Sequence, residues 1–300
     1  MKKETLKHAK ALAAIVLTAG LLWSSCSKDN TGVKVKPPVA PIRPITKQSS
    51  PYVTQMFEYN PAPGQFINTG LGDTVAAMGT LNGTNGLVSL GAWGGYIVTG
   101  FDHTVLNTND TGKIVVYGNG FPGFAEPGVV WVMQDVNGNG KPDDTWYELA
   151  GSATNKPGYV RNYSVTYTRP ACDSCSVPWK DNQGKTGVVQ TNIYNTQAYF
   201  PIGSKTNTYT LTGTELPSTG IDMSNPFYIT SKAFAYGYSD SNSGGDTVYI
   251  AHAIDANGKK VRLTGIDFIK VQTGIMANMG WLGEQSTEFC GAADVSLLKK

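Results

Sequence analysis

The densest run of chemically informative residues is Asp135-Val136-Asn137-Gly138-Asn139-Gly140-Lys141-Pro142-Asp143-Asp144. It fits the opening of a calcium loop, D-x-[DN]-x-[DN]-G, with a further aspartate at the ninth position. Hard Ca²⁺ takes roughly six to eight oxygen ligands, and alternate side chains can converge on one ion because Gly140 permits the sharp turn. The expected ligands are the side chains of Asp135, Asn137, Asn139 and Asp143 and the backbone carbonyl of Lys141. The twelfth position is Trp146 rather than a bidentate glutamate, so the loop departs from an EF-hand. Asp144 or Glu148 is left to complete the shell. The expected role is a structural calcium that stiffens a loop; the bland alternative is a solvated Asn-Gly hairpin tip.

Aromatic residues carry the second kind of chemistry. Trp93, Trp146, Tyr147 and Trp179 stand beside Gly, Pro or Asp in turn-like settings, as do Tyr96 and Trp281. Rings in such loops stack on the apolar face of a sugar while neighbouring polar groups take its hydroxyls. The first four are the expected ligand contacts. Trp131, inside Val-Val-Trp-Val-Met, reads as core. A carbohydrate-active enzyme would need two carboxylates about 5–10 Å apart; Glu126, Glu148, Glu284 and Glu288 are the residues available for that role.

Other chemistries find little support. Gly118-Asn119-Gly120-Phe121-Pro122-Gly123 has dinucleotide-loop spacing, but Pro122, Pro127 and Gly128 forbid the helix that must follow. Gly184-Lys185-Thr186 lacks the first glycine of a phosphate loop, since Trp179 stands there. His103 and His252 form no zinc spacing. Cys172 and Cys175, between Pro170 and Pro178, are expected to form a local disulfide outside the cytoplasm, and Cys290 to be a buried thiol.

The N-terminus sets the compartment. Lys2, Lys3, Lys7 and Lys10 precede an apolar run from Ala11 to Trp23, then Ser24, Ser25 and Cys26. The run is shorter than the about 20 residues of a membrane span and has the layout of an export signal. Residues 1–25 are therefore expected to be a lipoprotein signal peptide, with Cys26 lipidated. Residues 26–50, with Pro37, Pro38, Pro41 and Pro44, are expected to be a lipid-anchored, proline-rich tether. Without the signal, which holds four lysines and one glutamate, the chain's 24 basic and 22 acidic residues become nearly balanced. No basic stripe remains for nucleic acid, and the membrane connection is the lipid alone.

Residues 51–300 must position the motifs, and they read as β. There are 35 glycines and 15 tyrosines, and only 15% of the chain is charged. Strand-like runs recur at 96–101, 113–117, 129–133, 163–167, 208–211, 247–254 and 266–273, with Asn-Gly turns between several of them. No dozen-residue amphipathic helix is visible. The expectation is an all-β fold: one large antiparallel, jelly-roll-like β-sandwich with long loops.

Phe57-Glu58-Tyr59-Asn60-Pro61-Ala62-Pro63-Gly64-Gln65-Phe66, Asp143-Asp144-Thr145-Trp146-Tyr147-Glu148-Leu149 and Val177-Pro178-Trp179-Lys180-Asp181-Asn182-Gln183-Gly184 resemble segments of a family of Bacteroidetes cell-surface lipoproteins. So do Gly265-Ile266-Asp267-Phe268 and Leu282-Gly283-Glu284 with Ser286-Thr287-Glu288. Ser27-Lys28-Asp29-Asn30 is similar to sequences that send such proteins to the outer surface. More distantly, Gly100-Phe101-Asp102 and Ala125-Glu126-Pro127 resemble galactose-binding-like jelly-roll modules. The resemblance implies an outer-membrane, lipid-anchored protein facing the exterior and binding a ligand. The expected function is non-enzymatic glycan capture. Two alternatives stay open: capture of a corrinoid-type micronutrient for an outer-membrane transporter, and a carbohydrate-active enzyme.

Overall fold

The computed structural model describes residues 40–298; the expected signal peptide, Cys26 and most of the expected tether lie outside them. Short β-branched and aromatic runs, broken by glycine and asparagine, produce strands. Among the described residues α-helix is limited to the six-residue Thr74–Gly79, capped where Ala76 N donates to the Asp73 carboxylate at 2.8 Å.

The main sheet is seven-stranded and antiparallel, in the order Gln55–Asn60, Tyr96–Leu106, Gly265–Thr273, Gly128–Met133, Tyr147–Leu149 and Ala253–Ile254. Tyr238–Ser239 also pairs onto Gly128–Met133. Register sets Ile97, Val271 and Val130 in one row. That face closes on a three-stranded sheet of Asp246–Tyr249, Lys113–Tyr117 and Gly291–Asp294, whose Val248, Ile114, Val116 and Ala292 complete the principal core. Each fully buried Val or Ile there contributes about 1.5–3 kcal/mol. The protein is an all-β, antiparallel sandwich with long loops.

A four-stranded sheet, in the order Thr208–Glu215, Val160–Thr168, Val177–Asp181 and Thr186–Val189, encloses a second core. Polar ties join it to the main sheet: Gln272 Nε2 donates to Thr212 O at 3.2 Å, and Thr214 Oγ1 to Glu148 Oε2 at 2.5 Å. The strand expected over 247–254 is interrupted by a 3-10 turn at Ile250–His252, which buries Ile250.

The domain's packing also begins earlier than residue 51. Arg43 exchanges two hydrogen bonds with Thr104, Arg43 N donating to the hydroxyl Thr104 Oγ1 at 2.9 Å and Thr104 N to Arg43 O at 3.0 Å. The last part of the expected tether therefore lies along the main sheet. The strand Gly128–Met133 separates two ends of the molecule. Asp135 and Arg43 are at one end, and Glu126 is at the other, about 25–30 Å away along extended chain.

Candidate functional site

At the Glu126 end, three loops converge on one aspartate. Glu126 N donates to Asp240 O at 2.9 Å, Glu288 N to Asp240 Oδ2 at 2.8 Å, and Gly120 N to Asp240 Oδ1 at 2.7 Å. Asp240 itself has φ +53°, a left-handed conformation that costs energy for a residue with a Cβ. The 118–120 loop can approach only because it carries glycine: a Cβ on Gly118 would fall 2.3 Å from Asp240 Oδ1. The result is a buried trio. Glu126, Asp240 and Glu288 each bring a carboxylate oxygen within 4.8 Å of the other two.

The electrostatics of the trio are severe. Burial, then the Glu288 and Asp240 charges, push Glu126 well above the usual carboxylate range. Asp240 is raised likewise by burial and by Glu288, and Glu288 is raised by its own burial. Among the described residues no lysine, arginine or histidine pairs with any of the three. Ser286 Oγ donates to Glu288 Oε1 at 3.1 Å, but Glu288 Oε2 has no partner. Glu126 and Glu288 can bond to each other only while one of the two keeps a proton.

Glu126 and Glu288 form the floor of a cavity of about 630 Å³. Phe66, Phe124, Tyr194 and Trp281 line its walls, and Gln65, Asn119 and Asn195 add polar groups. The mouth continues into a second hollow lined by Phe121, Phe227, Tyr228 and Trp281. These rings stand in solvent: Phe227 is 89% exposed, Tyr228 73%, Tyr194 70% and Trp281 49%. Trp281 is fixed by its indole N–H, which donates to Pro226 O at 2.8 Å.

The chain matches no protein-family model and no curated protein sequence.

The residues expected to bind ligand lie elsewhere. Trp93 is fully buried in the second core, edge-on to Tyr163 at 4.7 Å, with its indole N–H donating to Thr214 O at 3.3 Å. It has no face to offer a ligand, so that expectation is corrected. Trp146 and Tyr147 point to opposite faces of the main sheet. Tyr147 packs on the principal core, while Trp146 lies over the Lys270 ammonium at 5.3 Å. Trp131 and Tyr96 complete that cage at 4.8 and 5.5 Å, and burial pulls the Lys270 pKa down to about 8. Trp179 is half-buried against Gly187 on the four-stranded sheet. These four side chains form no common site.

Of the four glutamates singled out, Glu126 and Glu288 reach the cavity floor. Glu284 accepts from Gln65 N at 2.8 Å and is raised to about 8 by burial. Glu148 is held inside by Tyr159 and Thr214. Asp240 went unrecognised in the sequence; a lone Asp in Ser-Asp-Ser-Asn carries no local signal.

In the 135–144 loop the expected ligand residues fold onto one another through hydrogen bonds. Asp135 accepts from Gly138, Asn139 and Gly140 backbone N–H groups at 2.8–3.1 Å, which bends the chain into a tight turn. The Asn137 and Asn139 side chains both reach the Asp143 carboxylate at 2.9 Å, and Lys141 O accepts from Asp143 N. The residue types are those calcium takes, but the Asn137 and Asn139 amides turn their Nδ2 groups to Asp143 while their Oδ1 atoms accept from Asn139 N and Lys141 N, so these oxygens serve the turn. Cys172 and Cys175 are joined in a disulfide, and Cys290 is free and buried.

Proposed function

We propose that this chain is a lipid-anchored surface protein that captures a ligand, of glycan class, in the aromatic cavity above Glu126 and Glu288. The cavity carries the reading. Its volume of about 630 Å³ lies within the roughly 300–1,000 Å³ of small-ligand sites, and exposed rings surround its mouth. Rings that stack on sugar C–H faces, beside carboxylates, serines and amides that take hydroxyls, match that ligand chemistry. The carboxylates favour holding over turnover: glycosidase carboxyls flank the substrate at about 5 Å or more, whereas Glu126 and Glu288 face each other. Calcium in the 135–143 loop is proposed as structural, at the tether end.

The test is a glycan array together with a cobamide titration on wild type and Trp281→Ala. Glycan binding that collapses in the variant supports the reading. Cobamide binding alone would favour micronutrient capture, and glycan binding untouched by Trp281→Ala would move the site. Anchoring is tested separately: Cys26→Ala should release the protein from membranes and abolish fatty-acid labelling.

A further inference from the structure

Three buried carboxylates with no basic partner form an unstable arrangement in a protein interior. Such groups must keep protons or find a cation. The fold goes to some length to assemble these three: it places Asp240 at positive φ, strips Cβ atoms from Gly118 and Gly120, and directs the Gly120 and Glu288 backbone N–H groups onto Asp240. Those N–H bonds favour an ionised Asp240, while nothing comparable reaches Glu288 Oε2. That atom belongs to a residue only 4% exposed, and the side chain lines the cavity. An enclosed carboxylate oxygen without a donor, on a residue packed against two further carboxylates, is a place where a cation can supply the missing positive charge.

We propose that Glu126, Asp240 and Glu288 form a divalent-cation site at the cavity floor, selective for a hard ion of the calcium type. The geometry suits one ion. Ca²⁺ holds oxygens at about 2.3–2.6 Å, so two opposite ligands stand about 5 Å apart, and the three oxygens here lie within 4.8 Å of one another. The donors are all oxygen, with no thiolate or imidazole in the group, which disfavours zinc and copper. Three protein ligands fall short of the roughly six to eight that calcium takes. Water or a ligand oxygen from the cavity that Glu126 and Glu288 line would supply the rest. This site is distinct from the 135–143 loop, which lies at the other end of the strand Gly128–Met133.

The experiment first silences the loop with the double variant Asp135→Asn/Asp143→Asn, stripped of metal by chelator. Calcium is then titrated by calorimetry, and Tb³⁺ by luminescence with excitation of tryptophan, since Trp281 lines the same cavity. One site should remain, with Ca²⁺ displacing Tb³⁺. Adding Glu288→Gln should weaken it at least tenfold while circular dichroism shows the fold intact. Glu126→Gln should do the same and stands in if Glu288→Gln fails to fold. Trp281→Phe should dim the terbium signal without changing calcium affinity. The proposal is overturned if the loop-silenced protein binds neither ion, or if folded Glu288→Gln and Glu126→Gln variants bind as well as their parent. Either result leaves ligand capture by the cavity standing, because the array with Trp281→Ala reads that separately.

Discussion

Arg43 and Asp267 tie the incoming chain to the centre of the main sheet. The guanidinium donates from Nε and Nη2 to Asp267 Oδ1 at 3.1 and 3.0 Å, and the Thr104 hydroxyl joins the same oxygen at 2.6 Å. The other oxygen of Asp267 accepts from Asp135 N at 2.8 Å. One fully buried carboxylate thus connects the segment around Arg43 to the first residue of the 135–144 loop. Any Cβ on Gly138 would also meet Pro41 at 3.0 Å, so loop and tether lie side by side.

Arg43→Ala should therefore loosen the junction. Removing one partner of a buried pair costs about 3–5 kcal/mol. The Arg43 side chain is about one-third exposed, so solvent screening reduces this to about 2 kcal/mol. Urea denaturation would show the loss, and limited proteolysis should cut faster near residues 40–46. Unchanged resistance to protease would mean that the contact does not anchor the tether.

Calcium should act at the same end. If the 135–143 loop holds the ion, chelator lowers the melting temperature of the wild type. The Asp135→Asn/Asp143→Asn variant should show a much smaller difference, with any remainder coming from the cavity floor. Chelator should also speed cleavage near residues 40–46, because the loop packs beside Pro41. A wild-type melting curve indifferent to chelator would count against calcium in the loop.

Much of the fold was legible because strands announce themselves locally. Lys113–Tyr117 and Gly128–Met133 combine β-branched residues with bounding turns, and both form where the pattern places them. The tight turn at 135–144 was legible for the same reason, since its asparagines, aspartates and glycines lie within one short segment. The cavity was not. Glu126, Asp240 and Glu288 come from distant segments, brought together by the pairing of Gly128–Met133 with Tyr238–Ser239 and of Glu288–Phe289 with Val88–Ser89. Trp93 misleads for a related reason. Its Ala-Trp-Gly-Gly setting does make a turn, with Gly94 at φ +86°, but the second core covers that turn entirely.

Two glutamates should give stability a distinctive pH dependence. Burial raises both Glu215 and Glu284 to about 8, and neither has a partner at Oε2. An unfolded glutamate titrates near 4.3. Between about 4.3 and 8 the folded chain therefore binds more protons than the unfolded chain, and stability falls as pH rises through that window. Glu215→Gln should remove its share of the fall. The expected gain is on the order of 4 kcal/mol at pH 8 and close to nothing at pH 4. Denaturant midpoints at the two pH values measure it, and an equal gain at both would show that ionisation is not the cause.

The two tryptophans Trp93 and Trp281 should separate folding from binding. Trp93 is fully enclosed among Tyr163, Tyr167 and Leu211, so Trp93→Ala leaves a large cavity and an unpaired Thr214 carbonyl. A loss of about 3–5 kcal/mol is expected, with the melting transition shifted down or lost. Trp281 is half exposed on the cavity wall and is held by one hydrogen bond to Pro226 O. Trp281→Ala should cost about 1 kcal/mol or less, because little apolar surface is withdrawn from a packed interior. Its effect should fall on ligand capture instead, since the stacking face is gone while the floor carboxylates stay in place. Thermal melts of both variants, run beside the glycan array, give the comparison. A Trp281→Ala protein as unstable as Trp93→Ala would make Trp281 a structural residue and remove the strongest aromatic support for the cavity as a binding site.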